Sequence, residues 1–554
     1  MNTFYVTTAI PYVNAAPHLG HALELVQADV LARHARSRGR PVRFLTGTDD
    51  NALKNVTAAR AAGVDVRAFV DANAARFAAL REPLSLSFDD FVRTSADARH
   101  TAGVARLWRE CAAAGDFYRR TYQGLYCAGC EQFWAAVELA DGLCPEHRVA
   151  PEPVAEENWF FRLSRYTGRI LELLESGRLR IEPAARRNEV LAFVRAGLTD
   201  FSVSRPAARA GGWGIPVPGD PDQVVYVWWD ALANYVTTLG YAGDDPRYRR
   251  WWSGPGERAH VVGKGIVRFH AVHWPALLLS AGLPLPTSIL VHDYLSADGA
   301  KLSKSAGNTI DPFALAGRYG ADAVRWWLVR EPARVGDTDF TVERLIRRAD
   351  GDLANGLGNL VNRTLSLAWR HRGGRVPETV PTGPLGAACD RLAGRIDRAL
   401  HDFDFRAATD ALVAVVDEGN RLVEAERPWE PAADARLDAV LGALITACRL
   451  VAAELSPFLP DGAARLRDRL LTGDRVARPE PAFPRIAGGR PRPGTTETRD
   501  RHSGPDGSPT ARDRHSGPDG SPAARDRHSG PDGSPAARDR LSGPAGGPAT
   551  RADP

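Results

Sequence analysis

The first fifty residues alternate short apolar runs with an amphipathic stretch. Residues 3–10 form a β-branched, apolar run that predicts a buried parallel strand, and residues 42–46 form another. Between them, apolar residues recur at helical spacing from His18 to Arg33, which predicts a helix. Strand, turn, helix and strand in this order are typical of a doubly wound α/β sheet, which binds ligands at the carboxyl ends of its strands.

The strand and helix rhythm breaks between about Tyr118 and Trp159 and then returns. Apolar runs that predict further strands follow at residues 224–228, 260–262 and 288–291. From about Thr341 to Leu471 strand signals vanish, and long amphipathic stretches predict an all-α domain. The chain therefore divides into a first half of the α/β domain (1–117), an insertion (118–160), a second half (161–340), a helical domain (341–475) and a tail (476–554).

The tail differs from the rest of the chain in composition. From Arg499 a 13-residue polar unit repeats three times and decays in a fourth copy, without aromatic residues and with a single leucine. Such a segment cannot bury enough apolar surface to offset the entropy of ordering. We therefore predict that the tail is disordered.

Composition excludes some classes of protein. The 554 residues carry a net charge of only +4, so binding to nucleic acid would need a local arginine patch. No apolar run approaches the roughly 20 residues of a membrane span, and the first residues do not resemble a signal peptide. Six widely spaced cysteines do not form a secreted disulfide framework. We expect a cytoplasmic protein with no membrane contact.

Lysine is rare in this chain, and its few positions point to chemistry. It occurs four times, whereas lysine and arginine together number 71. Two of the four lie in Lys301-Leu302-Ser303-Lys304-Ser305, and the others are Lys54 and Lys264. A chain that uses arginine for ordinary cations keeps lysine where a compact, rotatable ammonium is needed.

The pentapeptide follows a histidine motif, His18-Leu19-Gly20-His21, by about 280 residues. In this ordered pair the chain resembles a class I aminoacyl-tRNA synthetase. Such enzymes activate an amino acid by attack of its carboxylate on the α-phosphate of ATP, so the protein mainly positions the reactants and places cations near the developing charge. Imidazoles at a helix N-terminus and lysines in a loop suit that task.

The resemblance narrows to the methionyl-tRNA synthetase family over residues 3–470. It implies that L-methionine and ATP form methionyl-adenylate, releasing diphosphate, and that the methionyl group passes to tRNA(Met). A thioether is best recognised by a soft, aromatic pocket. The residues that match the family's methionine-binding positions are Ile10, Tyr12, Asp49, Trp228, Ala231, Tyr235, Ile266 and His270.

The same resemblance implies a nucleotide site, with Mg²⁺ accompanying ATP. Its expected ATP-binding residues are His18, Gly20, His21, Lys264, His292, Lys301, Ser303, Lys304 and Ser305. The expected catalytic residues are His18, His21, Lys301, Lys304, Asp49 and Arg205.

Three cysteines and a histidine in the insertion have the spacing of a paired zinc knuckle. Two residues separate Cys127 from Cys130, thirteen separate Cys130 from Cys144, and two separate Cys144 from His147. Two ligands at each of two turns can reach one tetrahedral ion. We predict one structural Zn²⁺, which matches the insertion of the methionyl family in its one-zinc form.

The predicted fold is thus an α/β Rossmann-like doubly wound catalytic domain with a zinc-knuckle insertion, followed by an all-α anticodon-binding domain and a disordered repeat tail. The family match implies that tRNA is read by an asparagine, an arginine and a tryptophan that stacks on a base. These residues are Asn359, Arg363, Pro428 and Trp429. The tail lacks any β pattern that would predict the family's dimerisation module, so we expect a monomer.

The chain departs from the family pattern at Asn51, Gly265, Asp293 and Leu302. The first three replace residues expected around ATP, whereas Leu302 is a volume-conserving change. An alternative is therefore a repurposed or inhibitor-tolerant paralogue that acts mainly as a tRNA-binding protein. A synthetase for an aliphatic amino acid would need a large editing insertion, and the interval between the two motifs is too short for one.

Overall fold

The computed structural model describes residues 2–127, 129–130, 132–146, 148–297, 299–301, 309–430, 434–470 and 474–486. Most of the tail that the sequence predicts to be disordered, residues 487–554, lies outside the described residues. The amino-terminal elements are β1 Thr3–Thr8, α1 Leu19–Ser37, β2 Val42–Thr48, α2 Leu53–Ala61, α3 Val66–Ala78, β3 Asp90–Arg93 and α4 Ala98–Ala113.

The insertion and the residues after it form mostly short elements. They are β4 Phe117–Cys127, β5 Gln132–Trp134, β6 Glu152–Phe161, α5 Thr167–Glu175, β7 Arg180–Glu182, α6 Ala184–Arg195, β8 Phe201–Ser202, β9 Ser204–Pro206, β10 Pro216–Val217 and β11 Asp220–Val225. Strands β5, β4, β6 and β8 pair in that order in one antiparallel sheet. The insertion is therefore built on a long β4–β6 hairpin.

The α/β pattern continues beyond β11. Its elements are α7 Val227–Thr237, α8 Pro246–Tyr248, β12 Gly256–Gly263, α9 Trp274–Ser280, β13 Ser288–His292, β14 Leu295–Ala297, β15 Ala300–Lys301, α10 Pro312–Tyr319, α11 Ala321–Arg330 and β16 Thr338–Asp339. One predicted strand is only partly correct: the run at residues 224–228 begins in a strand and ends in a helix. Val224 and Val225 end β11 in a small antiparallel sheet, and a helix begins at Val227.

In the described residues the main sheet has the order β3-β2-β1-β12-β13-β7, and every neighbouring pair is parallel. The strand order reverses between β1 and β12, so the carboxyl ends of these strands form the crevice in which doubly wound sheets bind ligands. Helix α1 covers one face with a continuous apolar surface. This arrangement confirms the predicted Rossmann-like fold.

The carboxyl-terminal part is helical, as predicted. Its helices are α12 Val342–Arg348, α13 Asn359–Arg372, α14 Gly383–His401, α15 Phe405–Glu426, α16 Asp434–Glu454 and α17 Pro460–Leu470. Buried Arg325 of α11 joins this part to the α/β domain, because its guanidinium lies 2.8 Å from Asp29 of α1 and donates to the Phe458 carbonyl at 2.7 Å. Burial alone would raise the pKa of Asp29, but the charges of Arg325 and Arg33 outweigh it and lower that pKa.

Candidate active site

His18 and His21 lie at the amino terminus of α1, at the end of the main sheet where β1 leads into this helix. Their rings stack with centroids 3.8 Å apart. His18 Nδ1 accepts the Gly20 backbone N–H at 3.1 Å, and His21 Nδ1 accepts the N–H of His18 at 3.0 Å. Since Nδ1 accepts in both rings, Nε2 carries the proton in each neutral imidazole and is a hydrogen-bond donor.

Gly20 allows the His18 ring to lie close to the helix backbone. A Cβ atom at this position would lie 3.0 Å from two atoms of that ring, which would have to shift by a few tenths of an ångström. The helix amino terminus adds partial positive charge beside the two rings. These residues together form an anion-binding arrangement.

His292 lies at the end of β13, in contact with α1. Its Nε2 lies 2.9 Å from Glu24 Oε2, and the other oxygen of Glu24 accepts the Ala9 backbone N–H at 2.8 Å. Burial would lower the pKa of His292, but the hydrogen bond and charge of Glu24 raise it overall. Glu24 therefore joins β1, α1 and β13, a role that its position inside an amphipathic helix did not reveal.

Lys264 follows β12 and is engaged within the described structure. Its Nζ lies 2.6 Å from Asp337 Oδ1 and 4.9 Å from the centroid of the Tyr294 ring. The same aspartate oxygen accepts the Tyr294 backbone N–H at 2.9 Å. A nucleotide phosphate near Lys264 would therefore compete with Asp337 for the ammonium.

The pentapeptide that contains Lys301 and Lys304 lies at the limit of the described structure. Lys301 ends β15, which pairs with β14, but its side chain is not described. Leu302, Ser303, Lys304 and Ser305 lie outside the described residues. The preceding turn is held by Asp339, which accepts from the Ser296 hydroxyl at 2.9 Å and from the Gly299 backbone at 3.0 Å.

Tyr12, Asp49 and Trp228 meet where β1 and β2 end. Tyr12 and Asp49 form a parallel β-bridge, in which the Asp49 N–H donates to the Pro11 carbonyl at 2.9 Å. Asp49 is buried, and the Tyr12 ring lies edge to face with Trp228 at 6.2 Å. Lys54 Nζ lies 5.5 Å from the Tyr12 ring centroid. The structure thus places Asp49 next to Tyr12, whose ring contacts that of Trp228.

Tyr235 and His270 form a buried hydrogen bond behind these residues. Tyr235 Oη lies 2.7 Å from His270 Nε2, and His270 Nδ1 lies 3.0 Å from the Ile266 carbonyl. A carbonyl can only accept, so Nδ1 carries the proton and Tyr235 donates to Nε2. Burial lowers the pKa of His270 to about 4, which agrees with a neutral ring.

The remaining predicted pocket residues lie in the same region. Ile10, Ala231 and Tyr235 belong to one apolar cluster, against which half-buried Trp228 and Ile266 pack. Sequence reasoning missed Phe269, whose ring stacks on Trp228 with centroids 3.8 Å apart. Phe269 and His270 lie in a π-helical turn, Phe269–His273, a local feature that is frequent at functional sites.

Two departures from the family pattern have structural partners. A Cβ atom at Gly265 would lie 2.1 Å from Tyr294 Oη, so the tyrosine hydroxyl occupies the space of a side chain at 265. Asp293 is buried and accepts from Arg186 Nη2 at 2.5 Å and from the Gly336 backbone N–H. Both departures are therefore accommodated in a packed structure.

Comparisons with known proteins agree with this arrangement. The family described as "tRNA synthetases class I (M)" matches residues 4–150 and 147–365. Methionine–tRNA ligase of Brucella suis is 40% identical over 512 residues, which covers 87% of this chain and 98% of that protein. The enzyme of the same name from Mycobacterium tuberculosis is 41% identical over 485 residues, which covers 85% of this chain and 92% of that protein. The chain belongs to the methionine–tRNA ligase family.

The fold of this chain is also similar to that of a solved structure. Mycobacterium tuberculosis methionyl-tRNA synthetase in complex with methionyl-adenylate has a TM-score of 0.82 and 38% identity. The match covers 88% of this chain and all of that chain. In the free state, the same mycobacterial protein has a TM-score of 0.75.

In this member of the methionine–tRNA ligase family, the cysteines of the insertion converge. The sulfur atoms of Cys127, Cys130 and Cys144 all lie within 4.8 Å of one another, and those of Cys130 and Cys144 are 3.7 Å apart. Tetrahedral zinc with bonds of about 2.3 Å places its sulfur ligands about 3.8 Å apart, so the three thiols fit such an ion. His147 lies outside the described residues.

The cysteine cluster also contacts the predicted pocket. Trp228 Nε1 donates to the Cys130 carbonyl at 3.3 Å, and Trp134 Nε1 donates to Cys130 Sγ at 3.3 Å. The backbone of Cys130, one of the three converging thiols, therefore also accepts a hydrogen bond from the tryptophan that the sequence predicts to line the pocket.

Arg205 lies on β9 beneath the insertion. Its guanidinium donates to Ser202 Oγ and to the Ser204 carbonyl, both at 2.7 Å, and lies 4.4 Å from the Tyr226 ring centroid. It also lies 4.8 Å from the Phe133 ring centroid. In the described structure this arginine is buried among aromatic rings at the base of the insertion.

The predicted tRNA-reading residues lie together on the helical domain. Arg363 of α13 lies 5.7 Å from the ring centroid of Trp429, which is 46% exposed. Asn359 is exposed one turn before Arg363, and buried Pro428 precedes the tryptophan. The arrangement presents a cation and an exposed aromatic face on one surface.

Among the described residues, none of the helices combines the length and the apolar character needed to cross a membrane.

Proposed function

We propose that this chain activates L-methionine with ATP, forming methionyl-adenylate and diphosphate, and transfers the methionyl group to tRNA(Met). The observation that carries the proposal is the joint position of Asp49, Tyr12, Trp228 and the Tyr235–His270 pair at the strand ends beside α1. A carboxylate next to a soft, aromatic and largely apolar pocket suits an amino acid with a thioether side chain. Family membership supports the same reaction.

In the first step, Asp49 binds the ammonium of methionine, and Tyr12, Trp228, Tyr235 and His270 surround its side chain. Ile10, Ala231 and Ile266 complete the apolar wall. A neutral His270 suits this position, since a charged imidazole would disfavour a thioether. The methionine carboxylate then attacks the α-phosphorus of ATP, and the bond to the leaving diphosphate breaks.

The protein's contribution at the phosphates is positive charge in fixed positions. His18 and His21 donate through Nε2, Gly20 leaves room for their packing, and Lys264 and His292 border the nucleotide at the ends of β12 and β13. Lys301, Ser303, Lys304 and Ser305 would bind the phosphates and stabilise the charge of the leaving diphosphate. Arg205 supports the site from the base of the insertion. The substrate would be ATP with bound Mg²⁺, which would supply further positive charge to the phosphates.

In the second step, a ribose hydroxyl of the terminal adenosine of tRNA(Met) attacks the methionyl carbonyl, and AMP leaves. Asn359, Arg363, Pro428 and Trp429 form the surface that reads the anticodon. The exposed Trp429 ring offers a stacking face, and the Arg363 guanidinium beside it can contact a base edge or a phosphate.

Cys127, Cys130 and Cys144, with His147 as fourth ligand, would hold one structural zinc ion. Binding of the ion would fix the positions of the three cysteines. Because the Cys130 carbonyl accepts from Trp228, it would also fix the position of that tryptophan. The divisions at residues 117, 160, 340 and 475 separate the catalytic halves, the knuckle, the helical domain and the tail. We further propose a cytoplasmic monomer.

The test is amino-acid-dependent ATP–pyrophosphate exchange by the full chain, with methionine compared with leucine, isoleucine, valine and cysteine. We expect exchange with methionine alone and, in a second assay, charging of tRNA(Met). Asp49→Asn should lower kcat/KM for methionine by about 100-fold, because loss of a charge-assisted hydrogen bond costs about 3 kcal/mol. Asp116→Asn, a buried carboxylate outside the site, is the matched control. Absence of exchange with every amino acid would overturn the proposal and favour a tRNA-binding role.

A further inference from the structure

Helix α7 has two functional faces. Trp228, Ala231 and Tyr235, which are three and four residues apart, lie on the face that borders the proposed methionine pocket. Asp230 and Thr237 lie on the opposite face, toward α4, and are fully buried. Burial of a carboxylate lowers the stability of the fold unless both of its oxygens have hydrogen-bond or charged partners. The partners of Asp230 therefore indicate what it does.

Both oxygens of Asp230 accept hydrogen bonds from side chains of distant segments. Oδ1 accepts from Nε2 of His100, which lies on α4. Oδ2 accepts from Nδ2 of Asn51, a residue that follows β2, at 2.6 Å. Asp230 and His100 are each 0% exposed. The carboxylate thus joins the helix behind the pocket to the segment that carries Asp49.

The close approach of α4 and α7 makes this contact possible. A Cβ atom at Gly103 would lie 2.4 Å from Thr237 Cγ2, so the helices could not pack as they do if residue 103 had a side chain. His100, one turn before Gly103, reaches across with its Nδ1 2.8 Å from the Thr237 hydroxyl. Both ring nitrogens of His100 are therefore held by α7.

Asn51 carries the constraint to Asp49. Its backbone N–H donates to Asp49 Oδ1 at 3.2 Å, in the local turn that aspartate commonly forms with the residue two positions ahead. Asn55 Nδ2 donates to the backbone carbonyls of Asp49 and Asp50 at 2.9 and 3.0 Å, and these hydrogen bonds also fix the backbone of that segment. The direction of the Asp49 carboxylate consequently depends on the position of Asn51.

We propose that Asp230 is a positioning residue for methionine recognition, acting through Asn51 on the Asp49 carboxylate. Asp230 does not line the proposed pocket; it holds Asn51, and His100 and Thr237 hold Asp230. The inference rests on the proposed function only in placing Asp49 against the substrate ammonium. It also gives a role to Asn51, which differs from the residue in the family pattern: its amide supplies Asp230 with a donor.

The test compares ligands that differ in the ammonium group. Asp230→Asn leaves an amide between two donors, so either His100 or Asn51 loses its acceptor. We expect its KM for L-methionine to rise by about tenfold, while the inhibition constant of 4-(methylthio)butanoate, which has no ammonium, and the KM for ATP stay unchanged. Asn51→Ala, at a less buried position, should change the same quantities in the same direction even if Asp230→Asn folds poorly.

The matched control is Asp29→Asn, which removes a buried, hydrogen-bonded carboxylate of α1 that pairs with Arg325. It should lower stability and leave the ratio of the two ligand affinities unchanged. The double variant of Asp230 and Asn51 should be no worse than Asp230→Asn alone, because the two residues act in series.

Two results would overturn the proposal. One is an unchanged KM for methionine in both variants. The other is a parallel weakening of methionine, the desamino analogue and ATP, which would assign Asp230 to the stability of the fold. Calorimetric binding of both ligands measures the same ratio without turnover. A parent chain that binds methionine but does not exchange would therefore contradict the proposed function and leave this inference testable.

Discussion

Removal of one hydroxyl, in Tyr235→Phe, tests the assignment of the buried Tyr235–His270 pair. In the parent, Tyr235 Oη donates to His270 Nε2 at 2.7 Å, and the two side chains are 1% and 2% exposed. The variant keeps the ring and its packing but leaves a buried nitrogen acceptor without its donor. We expect the unfolding free energy to fall by about 1–3 kcal/mol, which is the usual cost of an unsatisfied buried group.

The same change should reach the substrate. The imidazole is oriented from one side by the Ile266 carbonyl and from the other by the tyrosine, so loss of one contact loosens its position in the proposed pocket. If the loosened imidazole lowers the binding free energy of methionine by about 1 kcal/mol, the KM for methionine rises about fivefold while the KM for ATP stays constant. Urea unfolding and methionine-dependent exchange measure the two effects.

Tyr5→Phe is the control for the substitution itself. Tyr5 is fully buried in the same apolar cluster, and its hydroxyl donates to the Tyr235 carbonyl at 3.0 Å. It should lower stability by a similar amount with an unchanged KM for methionine. If Tyr235→Phe leaves both stability and KM at parent values, the hydrogen bond does not order His270 and the assignment is refuted.

Three further predictions concern acid stability, metal and tRNA. Burial lowers the pKa of His270 and of His273 to about 4, whereas unfolded histidine titrates near 6.5. Their stabilising contribution is therefore complete above pH 6.5 and is lost toward pH 4, by about 3 kcal/mol each. A urea midpoint that stays constant between pH 7.5 and 5 would contradict this. Chelation of metal from the cysteine cluster should raise the KM for methionine, because Trp228 donates to the Cys130 carbonyl, and zinc re-addition should restore it; an unchanged KM would separate the knuckle from the pocket. Trp429→Ala should lower kcat/KM for tRNA(Met) about tenfold and leave exchange intact, since stacking of one base contributes about 1–3 kcal/mol; equal losses in both assays would argue for misfolding.

Much of the fold could be predicted because the periodicity of apolar residues along the chain matches the strands and helices of the main sheet. The apolar run at residues 3–10 becomes β1, and the amphipathic stretch from His18 becomes α1, whose buried face lies on that sheet. The second half of the run at 224–228 was assigned incorrectly, because short apolar segments fit either a strand or a buried helix. In α7 nearly every side chain is buried, so the hydrophobic pattern has no polar face from which helical periodicity can be read.

The site could be predicted where its residues belong to compact motifs and not where partners are distant in sequence. Tyr12, Asp49, Trp228, Tyr235 and His270 were predicted from local segments, and the structure pairs Tyr12 with Asp49 and Trp228, and Tyr235 with His270. The partner of Lys264 is Asp337, and Asp230 pairs with a histidine 130 residues away. Such pairings depend on the final packing of helices and strands, and no local pattern of residues specifies them.

The contact between Gly265 and Tyr294 couples two positions that would otherwise mutate independently. A side chain introduced at 265 requires Tyr294 to move, since its Cβ atom would lie 2.1 Å from the tyrosine hydroxyl. Tyr294→Phe removes that oxygen and keeps an aromatic ring, so it removes the closest of these contacts. We therefore expect epistasis between the two positions, with Gly265→Asp tolerated better in the Tyr294→Phe background than in the parent chain.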